Sequence, residues 1–399
     1  MDEANEKKVV VAIVGAGPSG LAAAACLNRQ GVANIVLERD DCSCSLWRKR
    51  AYDRLKLHLA KQFCELPYMP FPSKSPTFIP RDQFIEYLDS YKSHFGIKPY
   101  CGRSVESASY DDQIGKWRIL ARNTGSGEHE VYVAEFLVVA SGENSEGAMP
   151  EIDGLESFGG EVMHSSEYRN GREFGGKNVL VVGCGNSGME IGYDLWSHGA
   201  NTSIVARSPV EVVTKEMVFL GMVLLKFLPF RIVDFLMMLL SKLIYGDYSK
   251  YGLRRPKNGP FHLKAVTGRS PTIDVGAMRG IKNGEIKVFP PIKSIKGKLV
   301  TFINETRSRF ESIIFATGYK SNVRKWLQGG DDLFNDDGMT KVRHQWKGEN
   351  GLYCIGFSQQ GLFGISADAR NVADDISFKL QRRRKGNAWD VAHGMISLY

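Results

Sequence analysis

The chain has 399 residues, of which 43% are hydrophobic and 24% are charged, and its formal net charge is +8. This length is enough for two or three domains with a sizeable core, and the composition is ordinary for a globular enzyme. The seven cysteines are odd in number and lack zinc-ligand spacing, which argues against a disulfide framework or a metal site and indicates a reducing compartment. The basic runs are scattered and have no interleaved aromatic residues, so nucleic acid is not an expected partner.

No transmembrane segment is predicted. The N-terminal stretch Met1–Lys8 contains acidic residues and no apolar core, unlike a signal peptide. The most apolar stretch, residues 217–245, is interrupted by charged side chains and by Pro229, which would break or kink a helix. We therefore predict a cytoplasmic protein with a buried, apolar helical insertion at about 215–250. Shallow membrane attachment and a hydrophobic substrate entrance are the alternatives for this insertion.

The first element predicted along the chain is a dinucleotide-binding unit. The apolar run Val9–Val14 predicts a buried strand, and it leads directly into a Gly-x-Gly-x-x-Gly pattern and a small-residue helix. In order, the three glycines permit a tight turn, leave room for a pyrophosphate and let helix and strand pack closely. Glu38 ends the next strand, 23 residues after Gly15, where an acid holds an unmodified ribose. This unit is expected to bind FAD.

The same unit occurs a second time. The strand Asn178–Val182 is followed by Gly-Cys-Gly-Asn-Ser-Gly and a helix, and the next strand ends at Arg207, 24 residues after Gly183. A cation thus stands where the first unit has an acid. The forked guanidinium of arginine suits a 2′-phosphate, so the second unit is expected to bind NADPH.

Further elements complete the first domain. Residues 50–59 alternate polar and apolar side chains as a strand does, residues 81–91 predict an amphipathic helix, and residues 103–140 predict a β-meander. Two apolar strands end alike, in Ala-Ser-Gly at position 142 and in Ala-Thr-Gly at position 318, and we expect the chain to cross between domains there. A last strand at 351–357 and a closing helix at 367–376 follow.

These elements predict an α/β fold with two dinucleotide-binding, Rossmann-like domains, in which the NADPH domain is inserted in the FAD domain. The expected division is a first part of the FAD domain at 1–175, the NADPH domain at 176–310, a return segment of the FAD domain at 311–385 and a C-terminal tail at 386–399.

The segment Phe158–Tyr168, with the pattern Phe-x-Gly-x-x-x-His-x-x-x-Tyr, resembles the signature of class B flavin monooxygenases, and it lies between the two glycine units as in that family. Longer stretches are similar to the plant YUCCA branch, namely 15–22, 52–59, 181–190, 251–257 and 316–323.

The resemblance implies an NADPH-dependent monooxygenase of auxin biosynthesis that converts indole-3-pyruvate and dioxygen into indole-3-acetate, carbon dioxide and water through an oxygen adduct at flavin C4a. Oxygenation of a soft sulfur or nitrogen nucleophile is the main alternative. Baeyer–Villiger oxidation is disfavoured, because that class usually has Trp where this chain has Tyr168. A dinucleotide-binding redox sensor without catalytic activity is a further alternative.

The resemblance also implies roles for individual residues. His58 and Lys61 are expected beside the oxygen adduct, Asn186 is expected to keep NADP in place, and Arg254 or Lys257 is a candidate ligand for a substrate carboxylate. Motifs and resemblance together predict cofactor contacts from Gly15, Ala16, Gly17, Pro18, Ser19, Gly20, Glu38, Arg39, Leu46, Trp47, Gly142, His164, Gly183, Cys184, Gly185, Asn186, Ser187, Gly188, Arg207, Ser208, Ala316, Thr317 and Gly318.

Overall fold

The structure, a computed structural model, describes the backbone of residues 6–394 and the side chains of residues 6–383. In chain order the first elements are β1 (Glu6–Val14), α1 (Pro18–Arg29), β2 (Asn34–Leu37), α2 (Ser45–Lys49), α3 (Arg81–His94), β3 (Arg103–Asp111), β4 (Lys116–Asn123), β5 (His129–Val139), β6 (Glu146–Gly147) and β7 (Glu161–His164). Then follow β8 (Asn178–Val182), α4 (Asn186–Ser197), β9 (Asn201–Val205), β10 (Val212–Val213), α5 (Lys215–Leu224), α6 (Phe230–Tyr245), α7 (Pro260–Thr267), β11 (Thr272–Ile273) and α8 (Ala277–Lys282). The last are β12 (Lys287–Phe289), β13 (Ile292–Lys296), β14 (Leu299–Phe302), β15 (Arg307–Arg309), β16 (Ser312–Phe315), β17 (Tyr319–Lys320), β18 (Leu352–Cys354) and α9 (Leu362–Gly394).

The first sheet has the strand order β2-β1-β5-β4-β3, with β18 also paired to β5. β1, β2, β5 and β18 run parallel, and β3 and β4 add an antiparallel meander. The parallel strands are buried on both faces, which is why Val11, Ala12 and Ile13 form an uninterrupted apolar run. The structure thus contains the predicted meander, last strand and amphipathic helix.

The second sheet is entirely parallel and has the order β12-β9-β8-β16-β7. β7 and β16 both belong to it, so its strands span residues 161–315. The predicted limits at 176 and 310 leave these two strands out and are wrong at both ends. Glu161–His164 has no apolar run to mark it, because β7 is an edge strand that is exposed over half its length.

Two other predictions fail for physical reasons. Residues 50–59 form no strand, since no neighbouring strand lies beside them. Leu57 donates its N–H to Ile79 O (2.8 Å), and Lys56 forms an isolated bridge with Pro80. Helix α9 continues to Gly394, through most of the stretch 386–399 that was predicted as a tail. Residues 395–399 lie outside the described part of the chain.

The apolar insertion contains two helices, α5 and α6. Thr214 caps α5 by accepting a hydrogen bond from Met217 N (3.1 Å), and Pro229 stands immediately before α6, as its position in the sequence predicts. One face of α6 is buried, with Val233, Met237, Ser241 and Tyr245 at intervals of four residues. No helix between residues 6 and 394 is long and apolar enough to cross a membrane.

A buried hydrogen bond joins the signature segment to the second sheet unit. The Tyr168 hydroxyl donates to Asp194 Oδ2 on α4 (2.6 Å), which also accepts the N–H of Gly171 (2.8 Å). Both residues are at most 5% exposed. A buried carboxylate needs such donors, because leaving one of its oxygens unpaired costs free energy.

We expect Tyr168→Phe to lower the free energy of unfolding by about 1–3 kcal/mol, because it leaves the buried Asp194 with one donor fewer. Thermal unfolding followed by circular dichroism measures this as a lower midpoint. Tyr100→Phe is the control. Tyr100 is 46% exposed, so the loss of its hydroxyl should leave the unfolding midpoint unchanged. Equal midpoints for both variants would contradict the assignment.

Candidate active site

The first glycine turn lies between β1 and α1. Gly15 has a φ of +109°, and a Cβ built on it would lie 2.5 Å from Ala140 O at the end of β5. A Cβ on Gly20 would lie 1.9 Å from Gly15 O. On Gly17, by contrast, a Cβ would meet no protein atom within 4 Å. The first and third glycines therefore serve packing within the protein, and the second faces open space.

The second turn, between β8 and α4, has the same division. Gly183 has a φ of +120°, and its Cβ would lie 2.4 Å from Ala316 O at the end of β16. A Cβ on Gly188 would lie 2.0 Å from Gly183 O, and Gly185 again has nothing within 4 Å. Gly17 and Gly185 are the N-caps of α1 and α4 and provide no side-chain cap. The first-turn N–H groups of both helices are thus available to an anion.

A cavity of about 560 Å³ opens above the first turn. Its size is within the range of small-molecule sites. Of the residues predicted to contact a cofactor, it is lined by Gly15, Gly17, Pro18, Ser19, Glu38, Arg39, Leu46, Trp47 and Gly142. Ala16 and Gly20 lie behind this surface, where the backbone of the turn packs on the protein.

Glu38 is held at the rim of this cavity. Its Oε2 accepts the N–H of Ala16 (2.7 Å) and its Oε1 accepts the N–H of Asp40 (3.0 Å). Burial raises the pKa of the carboxyl above its usual value, although these two N–H groups oppose the shift. Each carboxylate oxygen has a lone pair left for a further donor, so Glu38 can accept from a ribose hydroxyl.

Four buried polar atoms in the cavity wall have no hydrogen-bond partner within the protein. They are Arg103 Nε, Asn322 Oδ1 and, just after strand β5, Ser141 Oγ and Glu143 Oε2. Burial raises the pKa of Glu143. Unpaired buried polar atoms are rare, and in a cavity wall they are suited to a bound ligand. These atoms and the open space at Gly17 fit a flavin dinucleotide.

At the second turn, Arg207 is exposed just past the end of β9. Its carbonyl oxygen accepts a hydrogen bond from Arg254 Nη2 (2.9 Å). Arg254, which the sequence offers as a ligand of a substrate carboxylate, therefore lies beside Arg207, at the end of the strand where a 2′-phosphate is expected. Lys257 is exposed three residues further along. Ser208 is half-buried and follows Arg207 directly.

His58 contacts the second unit. Its Nε2 donates to Glu190 Oε1 on α4 (3.1 Å), and the Glu190 side chain is only 2% exposed. Burial raises the pKa of Glu190, but the hydrogen bond and charge of His58, with the charge of Lys215, outweigh it and lower the pKa overall. Leu57 packs in the hydrophobic core of the first sheet unit, and Tyr52 packs in the hydrophobic core of the second. The segment 52–58 therefore lies between the two units.

Lys61 and Asn186 contact the backbone of the protein. The Lys61 ammonium donates to the carbonyls of Ser75 (2.7 Å) and Ser73 (3.1 Å) in a Pro-rich loop. Asn186 Oδ1 accepts the N–H of Ile273 on β11 (2.7 Å), and Thr272 Oγ1 donates to Cys184 O (3.1 Å). These contacts hold Lys61 against the Pro-rich loop and orient Asn186 at the second turn, and the predicted roles of both residues at the cofactor stay predictions.

His164 connects β7 to the second crossing of the chain. Its Nε2 lies 3.0 Å from Gly318 O, which can only accept, so Nε2 carries the proton. Its Nδ1 then accepts from Ser166 N (3.2 Å). Burial lowers the pKa of His164, which favours this neutral form. The contacts of His164 are those of a hinge residue: it holds the backbone that runs through Ala316, Thr317 and Gly318.

Sequence reasoning missed part of the cavity wall. Gly356, Gly361, Leu362 and Ile365, from the loop after β18 and the start of α9, line it together with Arg50 and Arg103. The glycine-flanked loop before the closing helix was the available signal, because a helix N-terminus that follows glycines suits a polar ligand. Arg50 follows α2 and Arg103 begins β3, and neither belongs to a motif.

The two glycine turns, both facing open space, define the class of the chain as an α/β protein with two dinucleotide-binding units. Residues 6–327 match the family described as flavin-binding monooxygenase-like. The probable indole-3-pyruvate monooxygenase YUCCA10 of Arabidopsis thaliana is 54% identical, over 92% of this chain and 97% of the relative. The indole-3-pyruvate monooxygenase YUCCA1 of Oryza sativa subsp. japonica is 49% identical, over 93% and 92%. The chain therefore belongs to the flavin-binding monooxygenase-like family.

Solved structures are similar in fold. A flavin-containing monooxygenase from Stenotrophomonas maltophilia has a TM-score of 0.70 and 20% identity, covering 94% of this chain and 99% of that one. Cyclohexanone monooxygenase in an open form has a TM-score of 0.73 and 17% identity, covering 94% and 88%. These likenesses confirm the predicted fold class, and the YUCCA relatives confirm the resemblance seen in the motifs.

Gly17→Ala and Gly185→Ala form a matched pair of tests. Neither added methyl group meets a protein atom, so both variants should fold. We expect Gly17→Ala to retain little FAD, since the methyl group occupies the place of the pyrophosphate, and to melt earlier because it loses the stabilisation that a bound cofactor supplies. Gly185→Ala should keep FAD and raise the KM for NADPH. Flavin absorbance and steady-state kinetics measure both, and stoichiometric FAD in Gly17→Ala would contradict the assignment.

Proposed function

We propose that the chain is an FAD- and NADPH-dependent monooxygenase that converts indole-3-pyruvate into indole-3-acetate in auxin biosynthesis. The observation that carries the proposal is the pairing of two equivalent turns with opposite end residues, Glu38 beside the first and Arg207 beside the second. Such a pair fits one dinucleotide with a free ribose and one with a 2′-phosphate. The names of the YUCCA relatives support the choice of substrate.

The reaction balances with these reactants. Indole-3-pyruvate, dioxygen, NADPH and one proton give indole-3-acetate, carbon dioxide, water and NADP⁺. When bound, FAD supplies the redox chemistry, accepting hydride from NADPH and activating dioxygen. No nucleophilic side chain is needed, and the contribution of the protein is binding, orientation and exclusion of water.

The residues divide this work between the two units. The first-turn N–H groups at Gly17 receive the pyrophosphate of FAD, and Glu38 receives its ribose. Arg207 and Arg254 receive the 2′-phosphate of NADPH. His58, through its bond to Glu190, holds the segment between the cores against the NADPH unit, and so fixes how the two units face each other.

Product analysis tests the substrate. The purified holoenzyme is supplied with NADPH and, separately, with indole-3-pyruvate, a thioether and a tertiary amine. We expect indole-3-acetate in proportion to the NADPH consumed, and little sulfoxide or N-oxide. Gly185→Ala, tested under the same conditions, should form less product from each substrate. Sulfoxide or N-oxide as the main product would instead establish the oxygenation of soft nucleophiles. A flavin whose absorbance does not bleach when NADPH is added would indicate a redox sensor without catalytic activity.

Cofactor choice gives a further prediction. A hydrogen bond to a charged group contributes about 1.5–3 kcal/mol, so Arg207 and Arg254 should together give at least ~10-fold preference for NADPH over NADH in kcat/KM. We expect Arg207→Ala and Arg254→Ala each to raise the KM for NADPH with little change in kcat, because the phosphate is remote from the hydride. Use of NADH should change little.

The control for this prediction is Arg307→Ala, since Arg307 is also an exposed arginine of the second unit but lies on β15. It should leave both KM values unchanged. If Arg254→Ala alters kcat and the KM for indole-3-pyruvate while the KM for NADPH stays the same, Arg254 binds the substrate carboxylate after all.

A further inference from the structure

The apolar insertion forms a helical hairpin, which consists of α5, the link through Phe227, Leu228 and Pro229, and α6. Its inner face is anchored in the protein. Val233 and Met237 are buried in a small core with Met217 and Ile273, and the Ser241 hydroxyl donates to Val212 O (2.8 Å). The position of the hairpin on the protein is thus set by packing.

The outer face of the hairpin is also apolar, and it is exposed. Phe227 in the link is 78% exposed, Leu243 near the end of α6 is 72% exposed and Phe235 between them is 58% exposed. Leu220, Leu228, Phe230, Ile232, Leu239 and Ile244 are exposed by 37–50%. An exposed apolar surface of this extent marks an interaction site, because water solvates it poorly.

The exposed side chains of α6 follow the helical repeat. Ile232, Phe235, Leu239 and Leu243 are spaced by three, four and four residues, which places them in one stripe along the helix. The buried residues occupy the opposite face. α6 is therefore apolar on two sides, and the part of the chain that the structure describes covers only one of them.

The exposed charged side chains along this stripe are cationic. Between Leu220 and Ile244 every exposed charged residue is a cation, namely Lys226, Arg231 and Lys242. Arg231 and Lys242 are about three helical turns apart and border the same side of the stripe. The acid of this stretch, Asp234, is partly buried and accepts the N–H groups of Phe261 (2.8 Å) and His262 (3.0 Å). The exposed acids nearest to the stripe in the chain, Glu216 and Asp247, lie near the start of α5 and just after α6, so the link and the stripe between them carry a net positive charge that attracts a negatively charged partner.

We propose that this outer face docks on the surface of a bilayer that contains anionic phospholipid. Exposed Phe and Leu side chains can enter the acyl boundary while neighbouring Lys and Arg side chains contact the headgroups. The link through Phe227 is the part that inserts, and α6 lies in the plane of the interface. The helices are too short and interrupted to span the bilayer, so attachment is peripheral and reversible. This inference does not depend on the reaction that the chain catalyses.

Flotation of the full-length holoenzyme with vesicles tests the proposal. The vesicles are phosphatidylcholine alone and phosphatidylcholine with about one-third phosphatidylserine. We expect binding to the anionic vesicles that weakens as salt is raised. The double variant Phe227→Ser and Leu243→Ser should lower the partition coefficient at least ~10-fold, because two side chains no longer enter the apolar layer. Lys226→Gln with Arg231→Gln should lower it about fivefold per cation, on anionic vesicles only.

The matched control is Ile303→Ser with Val342→Ser, which removes two apolar side chains that are 57% and 63% exposed but lie outside the hairpin. It should bind vesicles as the parent does. All variants should keep their flavin absorbance and their rate of NADPH oxidation, which shows that they are folded. Failure of the parent to float, equal binding to neutral vesicles, or full binding by the Phe227 variant would overturn the proposal. If the parent does not bind vesicles but forms a dimer, and Phe227→Ser with Leu243→Ser dissociates that dimer, the outer face binds a second copy of the chain instead.

Discussion

The close approach of a backbone carbonyl to a glycine Cα is the constraint on which both dinucleotide units depend. Ala140 O lies 2.5 Å from the ideal Cβ position on Gly15, and Ala316 O lies 2.4 Å from that on Gly183. Each contact joins the end of a crossing strand to the turn that begins a helix. A side chain in either place would force sheet and helix apart, and the turn, the helix N-terminus and the cavity above them would be displaced together.

The same two strand ends also set how the units are joined. The chain leaves the first sheet after β5, and β7 and β16 lie side by side in the second, so two connections join the inserted unit to the first. These connections pair with each other antiparallel through β6 and β17. His164 closes one of them by its hydrogen bond to Gly318. The segment that carries His58 lies between the cores and adds a third contact through Glu190. Both dinucleotide sites are therefore held in one arrangement by polar contacts that are themselves largely buried.

Local patterns in the sequence were sufficient for the two turns, the meander and α3, because the residues that mark each of these features lie close together in the sequence. They were insufficient where a residue finds its partner far along the chain. Nothing near Arg254 indicates that its guanidinium reaches the backbone of Arg207, and nothing near Asn186 indicates that it holds Ile273. Alternation in residues 50–59 was misleading for a related reason. A strand needs a neighbour to pair with, and the fold places a loop there instead.

The first sheet unit is completed by the last elements of the chain. β18 pairs with β5, and α9 buries Ala369, Val372 and Ile376 in the core that contains α1. The second sheet, in contrast, has all its strands once Phe315 has been added. During synthesis from the N-terminus, the inserted unit can close while the first still lacks a strand and a helix. The part of the protein that is made first is thus the last to be finished, and until then its apolar surface is the one that a chaperone has to shield.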